Sequence, residues 1–373
     1  MSDLKIQRFD SFELESGRVL AGVQVAYQTW GTLNAERTNA VVVFHSMTGD
    51  SNAASWWNSI IGPGRAICTN TYFVVCANLL GSCYGTTGPT TVNPSTGDAY
   101  RGDFPICTVR DQVQIQRLLI SRLGVKNVEC VIGGSLGGFM ALEWAILDPS
   151  LKKVIAVTTS GRHSAWCIGW TEAQRQAIYS DPFWNEGNYS PASPPSAGLA
   201  SARMIAMLSY RNPASFSARF GREKVLSDRG ALASTDQKNG VNDVQEVFSV
   251  ESYLRYQGQK LADRFDANSY VRLTQTSNSH DLSRGRGTYL EALRSIKQQV
   301  LVVGVDTDIL FSLEEQRELA NGIPGAELAI IESPHGHDAF LLEGDTLNGI
   351  IKKWLSGTPK AVLQPVFQQV SCA

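Results

Sequence analysis

Ser135 lies in Gly133-Gly134-Ser135-Leu136-Gly137, at the junction of an apolar stretch, Val128 to Ile132, and the helical spacing of Phe139 to Leu147. A strand that runs straight into a helix must turn tightly, and glycines at 133 and 137 let neighbouring backbone pass close to the corner. The G-x-S-x-G pattern at such a corner presents a hydroxyl for nucleophilic attack. The alternative is a glycine-rich turn whose serine only caps the helix. A serine hydroxyl is a weak nucleophile at neutral pH, so it needs a base within hydrogen-bond reach and a third group to orient that base. The chain order that accompanies this corner is serine, acid, histidine. Asp306 and Asp308 follow the apolar run Val300 to Gly304, and His335 and His337 follow Glu327 to Ile331. Both slots are filled, and within each pair the residue types leave the choice open. The oxyanion of an acyl-transfer reaction would be met by backbone N–H groups, one from Leu136 and one from Met47. Met47 sits in the loop His45 to Asp50 that leaves the apolar run Val41 to Phe44, and His45 is expected to shape that loop.

These residues require a particular scaffold. Phe12 to Thr29 alternates around Glu15-Ser16-Gly17 and predicts an edge hairpin. Val41 to Phe44, Tyr72 to Ala77, Val128 to Ile132 and Val154 to Thr158 read as strands, and Thr108 to Leu123 as a crossover helix ending at Gly124. Asn78 to Pro94 is a glycine-rich loop. The alternation of strand and helix predicts an α/β fold with a mainly parallel central sheet. From about Trp166 to Ser295 no strand is evident. Helical segments such as Glu172 to Tyr179, Leu199 to Tyr210 and Val250 to Phe265 alternate there with polar or proline-rich connections, and Gly221 to Gly240 reads as a solvated loop. The α/β pattern resumes at Val300, with helices at Leu313 to Ala320 and Leu347 to Trp354 and a strand at Glu327 to Ile331. The expected organisation is a core of residues 1–165 and 296–373 with a helical lid of residues 166–295. The tail from Gly357 to Ala373 has no periodicity.

Length and composition narrow the function classes. With 373 residues and 43% hydrophobic content the chain can bury a large core. A net charge of −2 without basic runs gives no footprint for nucleic acid or an anionic membrane. Seven cysteines show no C-x-x-C pair and no metal-ligand spacing, which fits a reducing compartment without a metal site. With no apolar leader and no membrane-length stretch, a cytoplasmic protein acting on small molecules is expected.

The chain resembles the homoserine O-acetyltransferases of the α/β-hydrolase superfamily, whose relatives acylate serine or deacetylcephalosporin C. The resemblance covers most of the chain. It is carried by Ile61-Gly62-Pro63-Gly64, Gly85-Thr86-Thr87-Gly88-Pro89, Ala141-Leu142-Glu143-Trp144-Ala145 and Gln174-Arg175-Gln176-Ala177-Ile178, and by Leu208-Ser209-Tyr210-Arg211. It continues in Val250-Glu251-Ser252-Tyr253-Leu254-Arg255-Tyr256-Gln257, Arg264-Phe265-Asp266-Ala267-Asn268 and Gly336-His337-Asp338-Ala339-Phe340. It implies an α/β-hydrolase fold with a helical lid and a triad of Ser135, Asp308 and His337, with Asp306 and His335 in supporting roles. It also implies that Arg211 meets an amino acid's carboxylate and Asp338 its ammonium group. The activity implied is acetyl transfer from acetyl-CoA, a co-substrate rather than a bound cofactor, to L-homoserine in methionine biosynthesis. The mechanism would be ping-pong and the enzyme a homodimer joined through the lid. Serine as acceptor, succinyl-CoA as donor, or simple ester hydrolysis would use the same scaffold. The chain departs from the family at Leu136, where methionine is usual, and at Asn278, where aspartate usually precedes Ser279-His280-Asp281. The second change removes a charge from the lid.

Overall fold

A computed structural model describes residues 3–226 and 246–357. Its centre is an eight-stranded sheet in the order Lys5–Glu13, Val19–Trp30, Phe73–Ala77, Ala40–Phe44, Val128–Gly134, Lys153–Val157, Gln299–Val305 and Glu327–Ile331. The first two strands form an antiparallel edge hairpin, the second pairs antiparallel with Phe73–Ala77, and the remaining pairs are parallel. Ala40–Phe44 is buried along its whole length because helices and loops cover both faces, which is why it reads as an unbroken apolar run. The hairpin begins at Lys5, earlier than its sequence alternation indicates.

Helices join the parallel strands. Val109–Arg122 starts in a reciprocal capping box, with Thr108 accepting from the Asp111 N–H and Asp111 accepting from the Thr108 N–H. The helix Leu136–Leu147 lies between sheet and surface layers with Leu136 to Ala145 buried throughout. Between Lys153–Val157 and Gln299–Val305 the chain leaves the sheet for the helices Ala165–Tyr179, Ser196–Tyr210, Pro213–Phe220, Ser249–Ala262, Ala267–Asn278 and Tyr289–Ser295. Several carry side-chain caps: Ser164, Asn212 and Asp266 accept from the N–H groups of Cys167, Ser215 and Ser269.

The expectation of a strand-free insertion is corrected. Lys224–Leu226 and Glu246–Phe248 pair as a short antiparallel ribbon, so residues 224–226 of the expected loop Gly221 to Gly240 are strand. Three residues per strand are too few for alternation to register in sequence. Residues 227–240 of that loop, and the tail beyond Gly357, lie outside the described residues. Val250 to Phe265 is also shorter than expected, since the helix ends at Ala262.

One charged network ties insertion to core. Glu143, 2% exposed on the helix after Ser135, receives Arg110 at 3.0 Å and Arg286 at 2.9 Å. Arg110 and Arg284 both reach Glu15 in the hairpin turn at 2.8 Å. The chain returning from the insertion is thereby pinned to the hairpin, the crossover helix and the helix behind Ser135. Removing one partner of a buried pair leaves the other charge uncompensated. Glu143→Ala is expected to lower unfolding stability by about 3 kcal/mol in urea titration; a loss under about 0.5 kcal/mol, the range of ordinary surface substitutions, would show that the network is not structural.

Candidate active site

Ser135 occupies the corner between the strand Val128–Gly134 and the helix Leu136–Leu147, with φ 59° and ψ −124°. A non-glycine residue at positive φ is strained, and surrounding contacts must hold it there. The Ser135 N–H donates to Val157 O at 3.0 Å, and Ser135 O accepts from Thr159 Oγ1 at 3.0 Å. A Cβ at Gly133 would stand 2.2 Å from Gly137 O, and one at Gly137 would stand 2.2 Å from Phe44 O, so the corner closes only with glycine at both positions. Leu136 follows as the first residue of the helix, where backbone N–H groups have no partner within the helix.

Above the corner is a cavity of about 40 Å³ lined by Ser135, Leu136 and Met47 from the core and by Trp170, Thr171 and Gln174 from the insertion, among others. Met47, as expected, comes from the loop after Ala40–Phe44. His45 is fully buried in that loop, with Nδ1 2.8 Å from Ser46 O and no partner on Nε2, which accords with a shaping role.

The two open pairs separate cleanly. Asp308, its side chain wholly buried, places Oδ2 2.8 Å from Nδ1 of His337, itself 4% exposed. Asp308 Oδ1 accepts from the N–H groups of Leu310 at 2.8 Å and Phe311 at 3.0 Å, so the carboxylate is fixed from both sides. Asp306 instead accepts from the Ser333 N–H at 3.0 Å and anchors the histidine loop. His335 meets Arg211 at 3.3 Å through Nδ1. The His337 ring packs against Tyr210, Phe311 and Phe340 at 5.7, 5.3 and 5.5 Å, and Tyr210 and Phe311 line the cavity over Ser135. The Phe340 ring in turn stands 2.7 Å from where a Gly134 side chain would begin, which joins the histidine loop to the serine corner. A buried carboxylate on Nδ1 leaves Nε2 as the ring's basic position, the arrangement that general-base chemistry on a hydroxyl needs.

Arg211 and Asp338 come together as well. Arg211 Nε lies 3.1 Å from Asp338 Oδ2, with side chains 14% and 20% exposed. Burial pushes the Asp338 carboxyl above its ordinary range, while Arg211 and His337 pull it back. The guanidinium and carboxylate thus satisfy each other here, beside His337.

The role of Asn278 becomes visible only in three dimensions. Its Oδ1 lies 3.0 Å from Nδ1 of His163 and accepts from Thr171 Oγ1 at 2.9 Å, and both His163 and Thr171 line the cavity over Ser135. His163 had no signal in periodicity or motif. Burial lowers its pKa to about 4, against the pull of the Asn278 hydrogen bond, so the cavity wall is uncharged there. His280, stacked on Phe139 at a 4.0 Å centroid distance, is lowered to about 3 by burial. Among the described residues no group of three or more His, Cys, Asp or Glu is placed to hold a metal ion, and no helix is long and apolar enough to cross a membrane.

Comparison with known proteins agrees with this fold. Residues 39–344 match the family model for the alpha/beta hydrolase fold. A homoserine O-acetyltransferase of Trichormus variabilis is 51% identical over 341 residues, spanning 91% of this chain and 90% of that one. The chain belongs to the homoserine O-acetyltransferase family. Among solved structures, the homoserine O-acetyltransferase from Bacillus anthracis superposes with a TM-score of 0.85 at 27% identity, covering 95% of this chain and 98% of the other. Esterase E22 superposes with a TM-score of 0.83, also at 27% identity, covering 95% and 100%. Family members therefore share one α/β-hydrolase scaffold with an esterase, and the scaffold alone does not select the acyl acceptor.

The buried histidines set an acid limit. Native His163 and His280 stay neutral to about 4 and about 3, whereas in the unfolded chain they take protons near 6.5. Below that point the unfolded state binds more protons, so stability falls as pH falls from 6.5. His280→Gln is expected to unfold more easily at neutral pH yet lose less on acidification to about pH 5, by up to about 1.4 kcal/mol per pH unit. Parallel urea titrations of the two proteins check this, and an equally steep acid loss in the variant would contradict it.

Proposed function

We propose that the chain transfers an acetyl group from acetyl-CoA to the side-chain hydroxyl of L-homoserine through an acetyl-Ser135 intermediate. The observation that carries this reading is the fixed Asp308–His337 pair adjoining the Arg211–Asp338 ion pair. The first is machinery for activating a hydroxyl; the second offers one cation and one anion to an amino acid that brings both charges.

In the first half-reaction His337 Nε2 takes the Ser135 proton as Oγ attacks the thioester carbonyl carbon. The oxyanion is met by the N–H groups of Met47 and Leu136. As the tetrahedral species collapses, the carbon–sulfur bond breaks and CoA leaves as its thiol with the proton held by His337. In the second, His337 takes the homoserine hydroxyl proton, the new oxygen attacks the acetyl carbon, and the Ser135 ester bond breaks with that proton returning to Oγ. Asp308 keeps the imidazole in one orientation and stabilises its charged form. Arg211 would take the substrate carboxylate and Asp338 its ammonium group, each exchanging a protein partner for a substrate partner, so desolvation costs less than it would for two empty charges. Helices over the corner exclude water from the acetyl ester, and transfer rather than hydrolysis needs that exclusion.

Family membership supports homoserine as acceptor and acetyl as the acyl group. On the same grounds we assign the chain to methionine biosynthesis, to the cytoplasm, and to a homodimer joined through the helical insertion. A second reading, esterase activity, is favoured by the likeness to esterase E22. Thiol release separates them. Acetyl-CoA with L-homoserine is expected to give sustained release, with L-serine much slower release, and with buffer only a stoichiometric burst; sustained release in buffer would make the protein a hydrolase. Asp308→Asn, which frees the imidazole tautomer, is expected to lower kcat about 10³-fold or more. A fall of only a few-fold would remove Asp308 from the mechanism.

A further inference from the structure

The stretch Arg264-Phe265-Asp266-Ala267-Asn268 takes no part in the mechanism above. Arg264 stands on the link between the helices Ser249–Ala262 and Ala267–Asn278, with an exposed side chain. Its guanidinium crosses to the core, where Nη1 donates to Thr48 O at 3.1 Å. Thr48 follows Met47, whose N–H is one of the two donors assigned to the oxyanion.

The contact falls on the peptide that shapes this loop. Ser46 to Gly49 form a turn closed by the Gly49 N–H, which donates to Ser46 O at 2.9 Å. Met47 is the second residue of that turn, so the closing bond leaves its N–H unused. Thr48 C=O and Gly49 N–H belong to one planar peptide and point in opposite directions. This peptide is therefore held at both ends, by Ser46 O on one side and by Arg264 on the other. Rotating it breaks both hydrogen bonds and moves Met47 with the turn. Tyr84, from the glycine-rich loop, fixes the arginine in its place. The Tyr84 hydroxyl accepts from the Arg264 guanidinium and donates to Arg264 O at 3.3 Å, and its ring meets Phe265 edge-on at 5.6 Å. Burial pushes the Tyr84 phenol above its ordinary value, against the pull of Arg264, so it keeps the proton it donates. Tyr84 O accepts from Asn78 Nδ2 at 2.7 Å, just beyond the strand Phe73–Ala77. A chain of contacts thus runs from the sheet through Tyr84 and Arg264 to the loop of Met47.

We propose that Arg264 is a positioning residue for the oxyanion hole: through Thr48 O it holds the turn that aims the Met47 N–H at the acyl oxygen. The proposal rests on the reading of Met47 as an oxyanion donor and adds that a side chain of the insertion sets that donor's place. A backbone donor stabilises the developing charge only when it stands within hydrogen-bond distance of the position the oxyanion takes, so a small shift of the turn weakens it.

The test compares acetyl-CoA with its dithioester counterpart, in which sulfur replaces the carbonyl oxygen and accepts hydrogen bonds weakly. Single-turnover thiol release from each is measured without acceptor, and the ratio of the two rates is independent of the amount of folded protein. In Arg264→Ala the ratio is expected to fall about tenfold, short of the roughly 10²–10³-fold that follows outright loss of an oxyanion donor. The acetyl-CoA concentration at half-saturation is expected to stay unchanged. Arg264→Lys is expected to recover part of the loss. Equal slowing of both esters, or a loss confined to half-saturation, would overturn the proposal. Should Arg264→Ala fail to fold, Tyr84→Phe, which keeps the ring on Phe265, decides: a fall in the ratio of about threefold or more, the scale of one neutral hydrogen bond, supports the proposal, and an unchanged ratio overturns it. A preference for acetyl-CoA in the unsubstituted protein with a flat ratio in Arg264→Ala defeats the role of Arg264 alone. No such preference in the unsubstituted protein, beyond that shown by hydroxide, defeats the oxyanion reading with it, and release from neither ester defeats the acyl-CoA reading as well.

Discussion

Two peptide groups meet at the serine corner where no side chain could stand. The Gly137 position lies against Phe44 O, and the Gly133 position against Gly137 O, each closer than any Cβ could approach. These contacts draw the strand Ala40–Phe44 against the start of the helix Leu136–Leu147. The loop leaving that strand carries Met47, so the same close approach that strains Ser135 also brings Met47 and Leu136 to one cavity. A methyl group at either glycine would separate strand from helix and disturb both features together. The strain at Ser135 is held in place by the sheet through Val157 and by Thr159, which explains why the corner sits at the sheet's centre, where neighbours on both sides can restrain it.

A second close approach joins core and insertion. Gly336 has φ 62°, and a side chain there would begin 3.0 Å from Tyr210 O and 3.2 Å from the Arg211 backbone. The histidine loop can therefore lie directly against the end of the helix Ser196–Tyr210. Successive residues of that loop then face different partners: His337 turns to Asp308 in the core and Asp338 to Arg211 in the insertion. In the proposed reaction this one turn couples hydroxyl activation to amino-acid recognition, while the Glu15–Arg110–Glu143–Arg286 network holds the two layers in register from behind.

The sheet was largely legible because buried parallel strands are apolar runs and the hairpin alternates. The corner was legible because glycine and serine recur there for steric reasons. The choice between Asp306 and Asp308, or His335 and His337, could not be read from the residues themselves, since both members of each pair sit on short loops after a strand. Family resemblance pointed to Asp308 and His337. In the fold, what separates the pairs is the turn that aims the Leu310 and Phe311 N–H groups at Asp308, together with the positive φ of Gly336. The Asn278 contact with His163 joins residues 115 apart and leaves no periodic trace. Position 278 thus places an amide rather than a carboxylate beside His163, and burial of His163 keeps that wall over Ser135 uncharged.

The central claim is that Ser135 carries the acyl group between two substrates. Rapid mixing with acetyl-CoA alone, acid quench and peptide mapping by mass spectrometry measure this directly. The account predicts an acetyl group on the peptide containing Ser135 that disappears when L-homoserine is added before the quench, with O-acetylhomoserine formed in equal amount. An acetyl group on another residue, or product formed without any acetylated peptide on the timescale of turnover, would contradict it.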